Sequence, residues 1–153
     1  FGTRDPFQIA KALGINIVFC EDFGSLKGMY RVIRRNRFIF LNKELSDKML
    51  HIVCAHELGH DQLHRRLAQA NCLHEFMLYD MTTRPEYEAN IVAAEILIDT
   101  DELLEYIYSY NYSAEQIAMA MDTDINLVAL KIAHLTGLGY DLRPVEYRSD
   151  FLH

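Results

Sequence analysis

The chain has 153 residues, half of them apolar, which suits one packed domain with a small appended lobe. Its formal net charge of -7 argues against nucleic-acid binding, because basic side chains that neutralise phosphates supply most of that affinity. No apolar run is long enough to cross a bilayer, and the first residues lack the layout of a signal peptide. Three cysteines without C-x-x-C spacing argue against a disulfide framework and indicate a reducing, cytoplasmic location.

The first third of the chain predicts one short helix and three strands. Asp5-Pro6 is typical of an N-cap followed by proline at the first helical position, so we expect a helix that runs to about Leu13 and ends at Gly14. The basic cluster between Arg31 and Arg37 is interpreted as the solvated turn of a hairpin. The expected strands are Ile15–Phe19, Gly28–Ile33 and Arg37–Leu41.

The rest of the chain is predominantly helical. Ser113 and Gln116 have capping-box spacing, and Asp124 and Gly137 are expected to begin and end the last helix. The expected helices are Leu45 to about Leu67, Pro85 to about Ile98, a helix ending near Tyr108, and two short helices between Ser113 and Gly137. The stretch 68–84 is harder to assign, and Cys72–Leu78 is interpreted as a short strand.

These elements make an α+β layout with an N-terminal antiparallel or mixed sheet and a helical C-terminal part. We expect residues 1–110 to form one domain, residues 111–138 a helical module packed on it, and residues 139–153 a tail.

The pentapeptide from His56 to His60 carries the chemistry. On a helix, His56 and His60 lie one turn apart on the same face, so both imidazoles can bind one Zn²⁺ at about 2.0–2.1 Å. Glu57 projects about 100° further round, where it can reach a water on the metal, as in H-E-x-x-H peptidases. Apolar residues surround this helix, so it should be buried, and its polar side chains need partners. A metal would supply them, and so would a structural hydrogen-bond network.

The third ligand is expected on another helix. His64 continues the histidine face, but Leu63 and Arg66 occupy the positions where a metzincin has its glycine and third histidine. We therefore expect His64 to support the site or end the helix. A carboxylate from the segment Glu86–Glu95 is the natural source of the third ligand.

Helical phase separates the three carboxylates of that segment. Glu88 and Glu95 share one face, which we interpret as facing solvent, whereas Glu86 lies nearly opposite, in line with Asn90. Glu86 is therefore the expected third ligand, and Asn90 is expected to hydrogen-bond Glu86 or a ligating histidine. The alternative for Glu86 is a capping box with Thr83.

At these residues the chain resembles the ImmA/IrrE family of metallopeptidases. The resemblance covers roughly Asp5 to Leu97 and rests on His56-Glu57-Leu58-Gly59-His60 with Leu63-His64, and on Glu86-x-x-Ala89-Asn90-x-x-Ala93-Ala94-x-Ile96-Leu97. It implies a zincin-like fold in which His56, His60 and Glu86 bind zinc and Glu57 is the catalytic acid-base. Family members cleave helix-turn-helix repressors, which relieves repression in mobile elements or stress responses. Val92 and Ile98-Asp99 depart from the family pattern, at positions that affect packing more than chemistry.

Two further expectations concern substrate. Tyr30 is a candidate for substrate binding or for oxyanion stabilisation, together with Tyr79, Tyr87 and His64. The Arg37–Leu41 strand is expected at a sheet edge, where an extended substrate would pair with it. Ser113–Leu135 resembles a helix-turn-helix, but it carries three acids against one base, so we interpret it as a packing module or a repressor-recognition surface rather than a DNA reader.

The sequence thus predicts a zinc-dependent endopeptidase that cleaves a protein substrate, a helix-turn-helix repressor. Mn²⁺ or Fe²⁺ would also suit a His₂Glu ligand set. The alternative is a non-catalytic zinc-binding regulatory module that binds a repressor without cleaving it. A closed four-ligand site, with His64 or a cysteine as fourth ligand, would favour that alternative.

Overall fold

The computed structural model describes residues 2–69 and 83–142. Cys72–Leu78, Tyr79 and most of the predicted tail lie outside these residues. The elements are α1 (Pro6–Ala12), β1 (Asn16–Cys20), β2 (Gly28–Ile33), β3 (Asn36–Asn42), α2 (Asp47–Leu63), α3 (Arg65–Gln69), α4 (Arg84–Leu97), α5 (Thr100–Tyr108), α6 (Ala114–Ala120) and α7 (Ile125–Gly137). The α+β class is confirmed. In the described part of the chain, no helix is long and apolar enough to cross a membrane.

The N-terminal elements form as predicted, but the sheet order differs in one respect. The Asp5 carboxylate caps α1 by accepting from the Phe7 amide at 3.0 Å, and Gly14, with φ +76°, ends the turn that follows. In the sheet β3 is central, parallel to β1 and antiparallel to β2. The expectation that Arg37–Leu41 lies at a sheet edge is therefore wrong. Both sides of β3 are already paired, so an extended substrate cannot add to it.

Helix α2 lies at the centre of the molecule. It begins where the Ser46 hydroxyl accepts from the Met49 amide at 3.2 Å, and ten consecutive residues, Ile52 to Asp61, are buried against α1, α4, β2 and β3. The predicted single helix to Leu67 is broken at His64, whose φ of -126° ends α2 before the short helix α3.

The C-terminal helices pack behind α4. The capping box of Ser113 and Gln116 is present, and the Asp124 carboxylate begins α7 by accepting from the Asn126 amide at 2.7 Å. Helix α7 ends at Gly137 as predicted, and Gly139 takes the positive φ beyond it. Helix α7 packs on α4, where the buried Lys131 ammonium lies 2.9 Å from Glu95. One hydrophobic cluster runs from Ile9 to Leu142.

Helices α2 and α4 approach each other closely at Gly59. A Cβ on Gly59 would lie 2.8 Å from the Cα of Ala89 and 2.9 Å from its carbonyl oxygen. Both are backbone atoms that cannot move without moving α4. The absence of a side chain at Gly59 therefore sets how near α4 comes to the histidines of α2.

Gly59→Ala is expected to destabilise the fold by about 1–3 kcal/mol, the usual effect of overpacking a filled core. Urea unfolding measures this. Gly137→Ala is the matched control, because Gly137 is also helical and a Cβ there meets nothing within 4 Å. That control should be neutral or slightly stabilised, since alanine favours helix over glycine by about 1 kcal/mol. Equal midpoints for the two variants would contradict the close approach of α2 and α4.

Candidate metal centre

Three side chains from two helices meet in the core. His56 and His60 of α2 and Glu86 of α4 are fully buried, and each offers a ligand atom within 4.8 Å of the other two. The Nε2 atoms of His56 and His60 lie 3.1 and 2.9 Å from the two oxygens of Glu86. The helical-phase argument for Glu86 thus agrees with where the structure places it.

The other nitrogen of each histidine ring has its own partner. His56 Nδ1 lies 2.9 Å from the amide oxygen of Asn90, and His60 Nδ1 lies 3.0 Å from Nδ1 of His64. An amide oxygen only accepts, so His56 Nδ1 carries a proton, and Nε2 is the nitrogen that faces Glu86. Asn90 and His64, both singled out from the sequence, therefore touch the two histidines and set the orientation of their rings.

Glu57 lies beside this cluster with its carboxylate fully buried. Neither of its oxygens has a hydrogen-bond partner among the described residues, and the same holds for Nδ2 of Asn90. An unpaired buried polar group costs free energy, and a buried charge costs more. Burial raises the pKa of Glu57 to about 8, and the nearby Glu86 charge acts in the same direction. A cation and water at this position would satisfy the carboxylate.

The cluster shifts the pKa values of its own members. Burial alone would raise the pKa of Glu86, but its close contacts with His56 and His60 outweigh burial and hold it at about 2. Burial lowers the pKa of His60 to about 4, against the attraction of Glu86. Burial also lowers the pKa of His56, but the Glu86 hydrogen bond more than offsets it, so that pKa is raised. Glu86 is therefore held as a carboxylate and His60 as a neutral imidazole, the forms that bind metal.

The residues present fit a metal ion. Two imidazole nitrogens and one carboxylate oxygen are the donor set of a zinc site with three protein ligands. Glu57 supplies an orphaned buried carboxylate next to them. No other His, Cys, Asp or Glu joins the cluster in residues 2–69 and 83–142.

Comparison with known proteins gives the family. The model of the peptidase M78 family, described as the IrrE N-terminal-like domain, matches residues 10–141. The chain belongs to this family. It is also 30% identical, over 138 residues, to the "Uncharacterized immunity region protein 2" of Bacillus phage phi105. The aligned region covers 90% of this chain and 82% of the phage protein. The M78 family consists of metallopeptidases, so the resemblance drawn from the histidine and glutamate motifs is confirmed.

The capping alternative for Glu86 does not agree with the structure. Thr83 is the N-cap of α4, but its side chain makes no capping hydrogen bond, and the Glu86 carboxylate faces the histidines. The prediction that Glu88 and Glu95 face solvent is confirmed for Glu95, which is exposed, and only in part for Glu88. Glu88 also pairs with His64 at the end of α2, and Glu95 pairs with Lys131 of α7, contacts that the sequence of α4 alone does not predict.

The Tyr30 hydroxyl contacts Asp61 and not the cluster of His56, His60 and Glu86 in this M78 chain. Tyr30 is 1% exposed and donates to Asp61 at 2.6 Å, which leaves almost none of its surface open to a substrate. Burial, with the hydrogen bond to Asp61, raises the pKa of Tyr30. Tyr87 is 39% exposed on α4 and stays a candidate only.

Asp61 is the residue that sequence analysis missed. Its side chain is fully buried one position after His60, and both of its oxygens lie 3.0 Å from the Arg37 guanidinium. Arg37 also donates to the carbonyl of Leu13. This Arg37–Asp61 pair ties β3 and the end of α1 to the histidine helix. The sequence signal that could have identified Asp61 is its position in a helix predicted to be buried all round, because a buried aspartate requires a cationic partner.

Proposed function

We propose that this chain is a zinc-dependent endopeptidase that cleaves a regulatory protein, a helix-turn-helix transcriptional repressor. The observation that carries the proposal is the buried meeting of His56, His60 and Glu86 beside the orphaned carboxylate of Glu57. His56, His60 and Glu86 would hold the zinc ion, and Glu57 would be the catalytic acid-base. Mn²⁺ or Fe²⁺ fits the same donors.

The chemistry divides between the ion and the chain. When bound, zinc lowers the pKa of water towards 7 and polarises the scissile carbonyl. Glu57 accepts the proton of the attacking water and delivers it to the leaving amine, so the carboxylate is regenerated in each cycle. Asn90 and His64 hold the two imidazoles with their Nε2 atoms directed to the site. The packed surroundings exclude bulk water from Glu57, which strengthens its interaction with charge that develops nearby.

Two observations support a repressor as the substrate: the similarity to a phage immunity-region protein and the acidic net charge of this chain. A protein from a phage immunity region suits control of a repressor in a mobile element. The net charge of -7 argues against this chain acting on DNA itself. Seven acids and one base lie in residues 100–142, and that base, Lys131, is 1% exposed. A protein that reads DNA carries basic residues, so an acidic enzyme would attract it.

The non-catalytic alternative requires a closed metal site. His64, the expected fourth ligand in that case, directs Nδ1 to His60 and Nε2 to Glu88. Both described cysteines, Cys20 and Cys54, are absent from the metal-binding cluster. Three protein ligands are typical of catalytic zinc and four of structural zinc, so the arrangement of the described residues favours the enzyme.

The test pairs zinc content with cleavage. The zinc-loaded chain should cleave the helix-turn-helix repressor encoded beside its gene when the two purified proteins are mixed. Glu86→Ala should lose both bound zinc and cleavage, because removing a ligand weakens binding by more than the 10–100-fold typical of residues that only support ligands. Metal analysis and gel electrophoresis measure the two effects.

Asp101→Ala is the control, since it removes an exposed carboxylate of α5 and should retain zinc and activity. Cleavage should also stop with a chelator and return with added zinc. Undiminished zinc in Glu86→Ala would place the third ligand elsewhere. Zinc binding without cleavage of the repressor or any other protein would support the non-catalytic alternative.

A further inference from the structure

A chain of three side chains leads from the metal-binding cluster to the surface of α4. His60 Nδ1 lies 3.0 Å from His64 Nδ1, and His64 Nε2 lies 3.1 Å from a carboxylate oxygen of Glu88. His64 is 6% exposed at the point where α2 ends, and the Glu88 side chain is 37% exposed. The other oxygen of Glu88 lies 3.7 Å from the largely exposed Arg84.

The order of donors and acceptors in the series His60–His64–Glu88 follows from Glu88, its outermost member. A carboxylate only accepts, so His64 must carry its proton on Nε2 to donate to Glu88. A neutral imidazole has one N–H, and the Nδ1 of His64 is then an acceptor. His60 must therefore donate from its own Nδ1, which leaves the lone pair on its Nε2. That nitrogen lies 2.9 Å from a carboxylate oxygen of Glu86, so two acceptors face each other there, and a cation between them would bind both.

We propose that Glu88 is a positioning residue that acts through His64 to hold His60 in its metal-binding tautomer. Because Glu88 fixes the proton on His64, His64 can only accept from His60, and His60 can only present Nε2 as a ligand. For His56, the fixed acceptor is the amide oxygen of Asn90. Each histidine of the site thus has an acceptor on α4 that determines its tautomer, directly for His56 and through His64 for His60.

A surface ion pair would show the same Glu88–His64 distance without this role. The difference is the second contact: the ring of His64 is buried, and its inner nitrogen meets a histidine rather than solvent. A surface pair contributes little beyond its own geometry. A positioning chain instead makes metal affinity depend on a residue that does not touch the metal.

The first test measures zinc affinity by competition with a chromophoric chelator, using the full chain. Glu88→Ala is expected to weaken affinity by about 10-fold, within the range for residues that orient metal ligands. Glu88→Gln should restore most of it, because the amide oxygen still accepts from His64. Arg84→Ala is the matched control, since it removes the ion pair on the other side of Glu88 and should leave affinity unchanged. In a His64→Ala background, Glu88→Ala should have no further effect.

The second test reads the tautomers directly by long-range ¹H–¹⁵N correlation NMR of the zinc-loaded protein. We expect the proton of His64 on Nε2 and that of His60 on Nδ1. A proton on Nδ1 of His64 would overturn the proposal whatever the zinc affinities of the variants are. This measurement uses the unaltered protein, so it does not depend on any variant folding.

This inference rests on the proposed metal site, but the two fail in different ways. If the unaltered chain binds no zinc, both fall. If it binds zinc, and Glu88→Ala binds it as tightly as Arg84→Ala does, only the role of Glu88 is overturned.

Discussion

Glu57→Gln is expected to keep zinc bound while lowering the rate of repressor cleavage by about 10²–10⁴-fold, the usual contribution of a positioned acid-base group. Glutamine has nearly the same shape as glutamate but cannot accept the proton of water. Neither oxygen of Glu57 has a hydrogen-bond partner in the described residues, so the substitution breaks no contact of the fold. Burial of a neutral amide also costs less than burial of a charge.

The measurement combines initial cleavage rates with bound zinc per chain. Asp101→Asn is the matched control, because it makes the same change of carboxylate to amide on the exposed surface of α5. It should leave both quantities unchanged. Normal cleavage by Glu57→Gln would remove Glu57 from the mechanism. Loss of zinc together with activity would instead make Glu57 part of the metal site.

Much of the candidate site was predictable because it depends on local geometry. The four-residue spacing of His56 and His60 fixes one face of α2, and helical phase distinguishes Glu86 from Glu88 and Glu95. Both arguments use only the 3.6-residue repeat. The caps of α1, α6 and α7 were predictable for the same reason, since each depends on side chains within a few residues of the helix start.

The rest depends on contacts between segments distant in sequence. Nothing local to α4 predicts that Glu88 will contact His64, which lies 24 residues earlier at the end of α2. The central position of β3 depends on β1 pairing beside it in parallel, which no hairpin pattern predicts. Arg37 looked like one more charge of a solvated turn, yet its side chain is only 21% exposed.

Arg37→Leu is expected to destabilise the fold by about 3 kcal/mol, near the lower end of the range for removing one partner of a buried ion pair. The reason lies in what remains: the fully buried Asp61 carboxylate would lose both contacts with the guanidinium. Tyr30 at 2.6 Å and Arg65 at 3.4 Å still face that carboxylate, and they limit the loss. Urea unfolding of the full chain measures the effect.

Lys43→Ala is the matched control, because the Lys43–Glu21 pair is exposed on both sides and should change stability by less than about 1 kcal/mol. Combining Arg37→Leu with Asp61→Asn should then recover part of the loss, since the amide leaves no buried charge and still accepts from Tyr30. Two residues in contact typically show a coupling of about 0.5–3 kcal/mol. Strictly additive losses would mean that Arg37 contributes by packing alone, and that Asp61 does not need it to stay buried beside His60.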